Sequence, residues 1–419
     1  MKKDIGVYKR RNNCRVCGGK EIFSFIDFGA MPLAGDFRPK EMLVNTKFYP
    51  MDLAVCLECS LVQIPNVVSS EIIFSDYRYL SSITKTLMQH FNSYAKLLKN
   101  SVLPEKLPFV VEFGCNDGIL LKPLKELGIK ALGVDAAENI VGIAREKGLD
   151  VVQGYFGSIV AKDILCSHGK ADVITASNVF AHINDIHEVM EGVKVLLADE
   201  GVFIVEVHYI GDLLEDFQFD TVYHEHLCYY SLTAIQYLFE KHGLIITNVQ
   251  KLPMHGGAIR VFSKRITSNE TKVNPRVVEM LKLEAQWGLK EKSTYIEFGK
   301  NVIKYREELQ LVIKNRIESG RTICAYGAAG RATILLNYCG FDSHIIDYIV
   351  DESPSRIGRY VPGVNIPILD RETFSKKPSD DCLITAWNYQ DEIIEKENNF
   401  ISAGGVFIVP LPKIEFIQE

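Results

Sequence analysis

The chain has 419 residues, 47% hydrophobic and 24% charged, with a formal net charge of −6. The length predicts two or three domains and the composition an ordinary globular protein, while the acidic balance argues against nucleic acid as a bulk partner, since phosphate binding normally shows as a basic surplus. No apolar run reaches the ~18 residues of a membrane span, and the polar, basic first residues lack the apolar stretch of a signal peptide. A cytoplasmic, reducing setting is therefore expected, in which the 10 cysteines are thiols or metal ligands.

Residues 1–85 carry two CxxC knuckles, Cys14-x2-Cys17 and Cys56-x2-Cys59. Each knuckle places two thiolates on one metal, and four thiolates complete tetrahedral zinc with no position open to water, so the site is structural. The alternatives are a redox pair or unrelated buried cysteines; two knuckles so close to the N-terminus favour zinc. The gap between them exceeds the usual ribbon spacing and predicts short strands. The other six cysteines show no ligand spacing and read as small core residues.

Residues 86–265 alternate β-branched runs with amphipathic segments. Strands are predicted at 109–113, 131–134, 172–176 and 202–207, which makes this an α/β domain with a mostly parallel sheet. The first strand runs through Glu112 into the turn Gly114-Cys115-Asn116-Asp117-Gly118, where glycines let backbone approach a ligand closely. Asp135 ends the next strand, placed to take both hydroxyls of a ribose. The dinucleotide spacing G-x-G-x-x-G is absent, and a methyltransferase variant, acid-x-Gly-x-x-x-Gly, fits better. Asn178, in the segment 177–182 after the fourth strand, is placed to meet the methionine end of S-adenosylmethionine. Phe156 is placed to pack on its adenine. Either residue reads equally well as loop filler.

Residues 220–231 read DTVYHEHLCYYS. Tyr223, His224, Glu225 and His226 set four proton-active groups in a row. A surface loop of hydrogen-bonding aromatics and an H-x-H metal site are the alternatives. The acid–base reading is sharper: histidine titrates near neutral pH, the neighbouring glutamate would orient it, and a tyrosine hydroxyl would donate to a developing enolate.

Residues 266–419 begin with two charged helices over 274–318, Pro275 near the start and Gly320 at the end. A second α/β pattern follows, with strands at 322–326, 345–350, 382–386 and 405–409. Gly327 to Arg331 would cradle a diphosphate at a helix N-terminus. Asp351 ends the next strand, a position that by itself suggests a nicotinamide dinucleotide. Arg331 and Arg356 are candidate phosphate partners. Trp387, at another strand end, either lines the cleft or packs in the core.

Taken together, these motifs resemble the sugar-nucleotide C-3-methyltransferases of deoxysugar biosynthesis over nearly the whole length. The resemblance rests on the cysteine pairs, Asp27-Phe28-Gly29 through Pro32-Leu33-Ala34, Glu-x-Gly-Cys-Asn-Asp-Gly and 178–182 (NVFAH). It continues through Tyr223-His224-Glu225-His226, His255-Gly256-Gly257 with Arg260, and Tyr326-Gly327-Ala328-Ala329-Gly330-Arg331. It implies a small N-terminal zinc-binding domain over 1–85, a Rossmann-like class I S-adenosylmethionine domain over 86–265 and a Rossmann-like domain over 266–419. The implied catalytic group is Tyr77, His182, Tyr223, Glu225 and His226. Tyr79, His224, Arg260, Gly327, Arg331, Asp351, Arg356 and Trp387 fall on the sugar-nucleotide side. Gly35 and Arg331 stand where the family more often carries asparagine and lysine. The implied substrate is a 4-keto-deoxyhexose on dTDP, GDP or another nucleoside diphosphate, methylated at C3. A monomer or weak homo-oligomer is expected, with neither nucleic acid nor membrane as partner. Two other functions compete: a nicotinamide-dependent sugar-nucleotide oxidoreductase using the C-terminal turn, and a zinc-ribbon RNA-binding protein or RNA methyltransferase.

Overall fold

The chain builds three main sheets in succession, and the computed structural model describes residues 4–74, 81–105, 107–267 and 272–418. Tyr77 and Tyr79 lie outside the described residues.

Between the cysteine knuckles stands a long antiparallel hairpin, Ile22–Pro32 with Lys47–Cys56, instead of the short strands predicted. Its length follows from alternation: Met51, Leu53 and Val55 bury one face of the second strand, as a period of two requires. Val62–Gln63 adds to this strand. On its outer side it pairs with Cys228–Tyr229, a two-residue strand from far along the chain.

The central sheet has seven strands in the order Leu244–Leu252, Ala258–Arg265, Leu197–His208, Ala171–Ser177, Phe109–Phe113, Lys130–Asp135, Val151–Gln153. Ala258–Arg265 runs antiparallel to both neighbours. All four strands predicted here are present. The antiparallel pair at the edge was not predicted, because its residues read as mixed polar and apolar. The order reverses between Phe109–Phe113 and Ala171–Ser177, and the carboxyl ends of these strands open the crevice where such sheets bind ligands.

Two helices follow, Pro275–Gln286 and Lys292–Glu318. The first is capped by Asn274, whose side chain accepts from the Arg276 amide at 3.1 Å, with proline at the first helical position. The second packs on the N-terminal hairpin: Tyr295 lies 5.0 Å from Phe25 between ring centroids, and Phe298 6.1 Å.

The third sheet runs Ile368–Leu369, Ile349–Val350, Ile323–Tyr326, Asp381–Ile384, Val406–Val409, Glu415–Ile417, with only the last strand antiparallel. The strand predicted over 345–350 shortens to its last two residues, because Asp342 starts a turn whose carbonyl accepts from the amides of Ile345 and Ile346. Among the described residues no helix is long and apolar enough to cross a membrane.

Candidate active site and zinc centre

The four knuckle cysteines converge, all four sulfurs lying within 4.8 Å of one another. Cys14 and Cys59 approach to 3.5 Å, Cys17 and Cys56 to 3.4 Å. Backbone amides of Val16 and Gly19 donate to the Cys14 and Cys17 sulfurs at 3.4 and 3.2 Å. Such amides stabilise thiolates, and the set, with Cys14, Cys56 and Cys59 buried and Cys17 half-buried, fits a closed tetrahedral zinc site. Within the first knuckle, Arg15 is buried; its Nη1 donates to Gln63 at 2.9 Å and its Nε to Asn184 at 3.2 Å. The zinc knuckle is thereby tied to the strand that holds Cys228–Tyr229.

At the carboxyl edge of the central sheet, the turn after Phe109–Phe113 needs both its glycines for its own packing. Gly114 and Gly118 have φ of 66° and 84°. A Cβ on either would lie 2.1 Å from a methyl carbon, of Val179 or of Leu149. Left-handed backbone and close contact with Val179 and Leu149 both favour glycine at these positions. Asn116 and Asn178 also take left-handed backbone, φ 48° and 57°, which asparagine tolerates better than most residues. Asp135 ties the turn together, accepting from the amides of Asn116 at 2.9 Å and Ala137 at 3.0 Å.

Glu112 is buried, and its Oε2 has no hydrogen-bond partner. Burial, with Glu206, Asp135 and Asp117 nearby, pushes its carboxyl well above the ordinary range. Asp117 Oδ1 is likewise buried without a partner. Asp117 already has the Lys147 ammonium on its Oδ2 at 2.8 Å, so Glu112 is the buried carboxyl left for a ligand cation, and a sulfonium ligand with an α-ammonium group meets that need. The residues thus fit S-adenosylmethionine.

Two sequence expectations change here. Phe156 stacks on Phe113, 4.6 Å between centroids and 5° between planes, so one face of its ring belongs to the core rather than to adenine. Arg260 is not free for substrate. It donates to Glu206 at 2.6 Å and lies 3.8 Å over the Tyr94 ring. Against the desolvation of burial, His90 and Arg260 hold the Glu206 carboxyl below its usual range.

The segment 220–231 crosses this edge. The His226 ring lies between two partners: Nδ1 is 3.2 Å from the Thr221 carbonyl and Nε2 is 2.9 Å from the Tyr223 hydroxyl. A carbonyl only accepts, so Nδ1 carries the hydrogen and Nε2 accepts from Tyr223. Burial, then the neighbouring His182 and His208, push the imidazole well below its ordinary value, so it is neutral. His182 stands 5.0 Å away between ring centroids, its Nδ1 donating to the Glu225 carbonyl at 2.7 Å.

The side chain of Glu225 does not orient His226, contrary to the expectation from sequence. Its Oε1 accepts from the Gly35 amide at 3.3 Å, and its Oε2 is buried without a partner. Adjacent residues in this tight turn point apart. His224 is fully buried, 3.3 Å from the Pro50 carbonyl, and braces the hairpin instead of reaching substrate.

The C-terminal domain closes the site. Its helix Gly330–Cys339 starts against the segment, a Cβ at Gly330 lying 3.4 Å from Ala34 and 3.8 Å from Tyr223. Gly327 is required by Ala386, which a Cβ there would meet at 2.4 Å. Arg331 donates to the His255 carbonyl and lies 4.9 Å over the Trp387 ring, while its Nη1 is buried without a partner. Trp387 itself donates to Asp220 at 2.7 Å. Asp351 accepts from Arg356 at 3.1 Å and from the Ser353 amide at 2.8 Å, an internal pairing at the strand end. Sequence reasoning passed over Asp220 and Thr221, although both lie in the stretch singled out for its histidines.

The profile of the C-methyltransferase C-terminal domain matches residues 253–412, that of a methyltransferase domain residues 87–249, and that of a zinc binding domain residues 14–74. The chain is 36% identical over 408 residues to the C-methyltransferase NovU of Streptomyces niveus, covering 97% of each chain. The chain belongs to the C-methyltransferase family. This C-methyltransferase is an α/β enzyme with an N-terminal zinc-binding domain, a class I methyltransferase sheet and a C-methyltransferase C-terminal domain. Its cofactors are zinc, for which the four cysteines form the cluster, and S-adenosylmethionine. It is also 28% identical over 102 residues to a ubiquinone biosynthesis O-methyltransferase of Glaesserella parasuis serovar 5, a match spanning 43% of that protein. Among solved structures, the magnesium protoporphyrin IX methyltransferase of Synechocystis PCC 6803 superposes with a TM-score of 0.32 at 19% identity, over 42% of this chain and 79% of that one.

Proposed function

We propose that this enzyme methylates C3 of a 4-keto-deoxyhexose carried on a nucleoside diphosphate, through an enolate. One observation carries the reading: a neutral, half-buried histidine, hydrogen-bonded to a tyrosine and beside a second histidine, at the edge where the central and C-terminal sheets meet. Carbon methylation needs a carbanion equivalent, and a ketone supplies one by acidifying its neighbouring C–H bond. S-adenosylmethionine supplies an electrophilic methyl on sulfur.

His226 Nε2 removes the C3 proton, the C–H pair moving into the C3–C4 bond as the C4 carbonyl becomes an enolate. The Thr221 carbonyl, holding Nδ1–H, stabilises the resulting imidazolium. The Tyr223 hydroxyl, released when Nε2 takes the proton, donates to the enolate oxygen. The C3 pair then forms the new carbon–carbon bond as the sulfur–methyl bond breaks, leaving S-adenosylhomocysteine. The proton on His226 passes to solvent. Arg331, with its unpaired Nη1, serves the diphosphate.

The test is mass spectrometry on a panel of dTDP- and GDP-linked 4-keto-6-deoxyhexoses with S-adenosylmethionine in deuterated water. One methyl gained, located at C3 by NMR, with deuterium exchange at C3 before transfer, is the expected result. His226→Asn should lower turnover by about 10²–10⁴-fold, the usual contribution of a general base. A methyl located at C5 refutes the regiochemistry, and full turnover in His226→Asn refutes the base.

A further inference from the structure

Asp220 is a fully buried carboxylate in the short turn Phe219–Thr221. An ionisable group in such a place is costly unless bonded. Its partner comes from another domain: the indole Nε1–H of Trp387, at 2.7 Å, from the turn that follows Asp381–Ile384. The indole is held on its face as well, by the guanidinium of Arg331, which in turn donates to the His255 carbonyl. Next to Asp220, the carbonyl of Thr221 accepts from His226 Nδ1 at 3.2 Å and from the Tyr229 hydroxyl at 3.0 Å. The far side of the turn is fixed by Gln218, whose carbonyl accepts from the Thr221 amide at 3.1 Å and whose side chain bonds His208 at 3.0 Å.

We infer that Trp387 and Asp220 are positioning residues for His226: their inter-domain hydrogen bond sets the Thr221 carbonyl, and that carbonyl fixes the imidazole in the Nδ1–H tautomer, which leaves Nε2 unprotonated to act as base. The inference deepens the proposed function and rests on His226 being the base. It also gives Trp387 a different part from lining the substrate cleft. A carbonyl displaced by a few tenths of an ångström still accepts from Tyr229 but no longer selects one tautomer of the ring.

Two measurements on the full-length zinc-loaded enzyme test this. Nitrogen NMR of histidine-labelled protein reads the His226 tautomer without any sugar, the resonance being assigned by its loss in His226→Asn. Wild type should show Nδ1–H alone. Trp387→Phe and Asp220→Ala should show a mixture of tautomers, and Asp220→Asn, which keeps an acceptor for the indole, should resemble wild type. Kinetics on the methylated panel sugar should show kcat down about tenfold to a hundredfold in Trp387→Phe, the cost of a small misplacement, with KM for both substrates little changed. The double variant Asp220→Ala with Trp387→Phe should fall no further than either single one, as two ends of one bond require. A wild-type His226 tautomer in Trp387→Phe overturns the inference. So does a rise in KM with kcat intact, which would return Trp387 to the substrate cleft, and so does an Asp220→Asn variant as impaired as Asp220→Ala. Failure of the base assignment shows separately, as full turnover in His226→Asn.

Discussion

Glu225 follows His224 and precedes His226, yet its carboxyl looks toward the N-terminal loop at Gly35 and has one oxygen with no partner. Burial, with Asp36 nearby, raises its pKa from 4.5 to about 7. The protonated form is therefore the one the fold prefers. Stability from this group is fully present below pH 4.5 and is lost as pH rises through about 7. The shift corresponds to about 3 kcal/mol. Glu225→Gln mimics the protonated acid at every pH. Urea unfolding should therefore show the variant gaining up to that amount relative to wild type between pH 5 and pH 8. An unchanged difference between the two proteins would mean that Glu225 is ionised in the fold. The histidines of this segment were legible in the sequence as proton-active groups, but their partners were not. Chain neighbours suggested a Glu225–His226 pair, whereas backbone carbonyls, which no side-chain pattern reveals, hold both His182 and His226.

A two-residue strand links the zinc centre to the chemistry. Cys228–Tyr229 pairs with Val62–Gln63, three residues beyond the second knuckle, and the Tyr229 hydroxyl bonds the same Thr221 carbonyl that holds His226. Arg15, inside the first knuckle, bonds the Gln63 side chain. A zinc ion at the four cysteines would thus brace the segment proposed to carry the base, through Arg15, Gln63 and Cys228–Tyr229. Cys56→Ser should release zinc and lower turnover by about a hundredfold, as expected when a base moves by roughly 1 Å. Affinity for S-adenosylhomocysteine, measured by calorimetry, should stay near wild type, because the cradle proposed for it belongs to the central sheet. Retained turnover in zinc-free protein would show that the pairing does not depend on the metal. The cysteine spacing made the zinc site legible. The strand pairing was not, because two residues carry no period and their partner lies far off in sequence. The long hairpin was missed for a related reason: bulges after Ser24 and Asp27 break its alternation.

Across the whole molecule, one hydrophobic core joins the first and last regions of the chain. Phe28, Met31 and Leu53 of the hairpin, Tyr295, Phe298 and Val302 of the long helix, and Ile323, Ile349 and Ile384 of the C-terminal sheet belong to a single cluster, while Cys14, Val16, Cys56 and Cys59 of the knuckles pack with most of the central sheet in another. From sequence the regions read as three successive units, since periodicity reports which face is apolar and not which distant face covers it. The shared core has a thermodynamic consequence: the hairpin, whose second strand ends in the zinc ligand Cys56, should unfold with the C-terminal region as one cooperative unit. In Trp287→Phe protein, Trp387 is the remaining one of 2 tryptophans and reports on the C-terminal sheet. Its fluorescence and the release of zinc to a coloured chelator should share one urea midpoint. Gly299 supplies the perturbation, because a Cβ there would lie 2.4 Å from the Phe25 carbonyl oxygen, backbone that side-chain rotation cannot clear. Gly299→Val should cost about 1–3 kcal/mol, the range for overpacking. It should also move both midpoints down together, although the substitution touches only the seam between helix and hairpin. Zinc released at lower urea than the fluorescence change, in either protein, would mean that the two regions fold independently and that the helix merely rests on the hairpin.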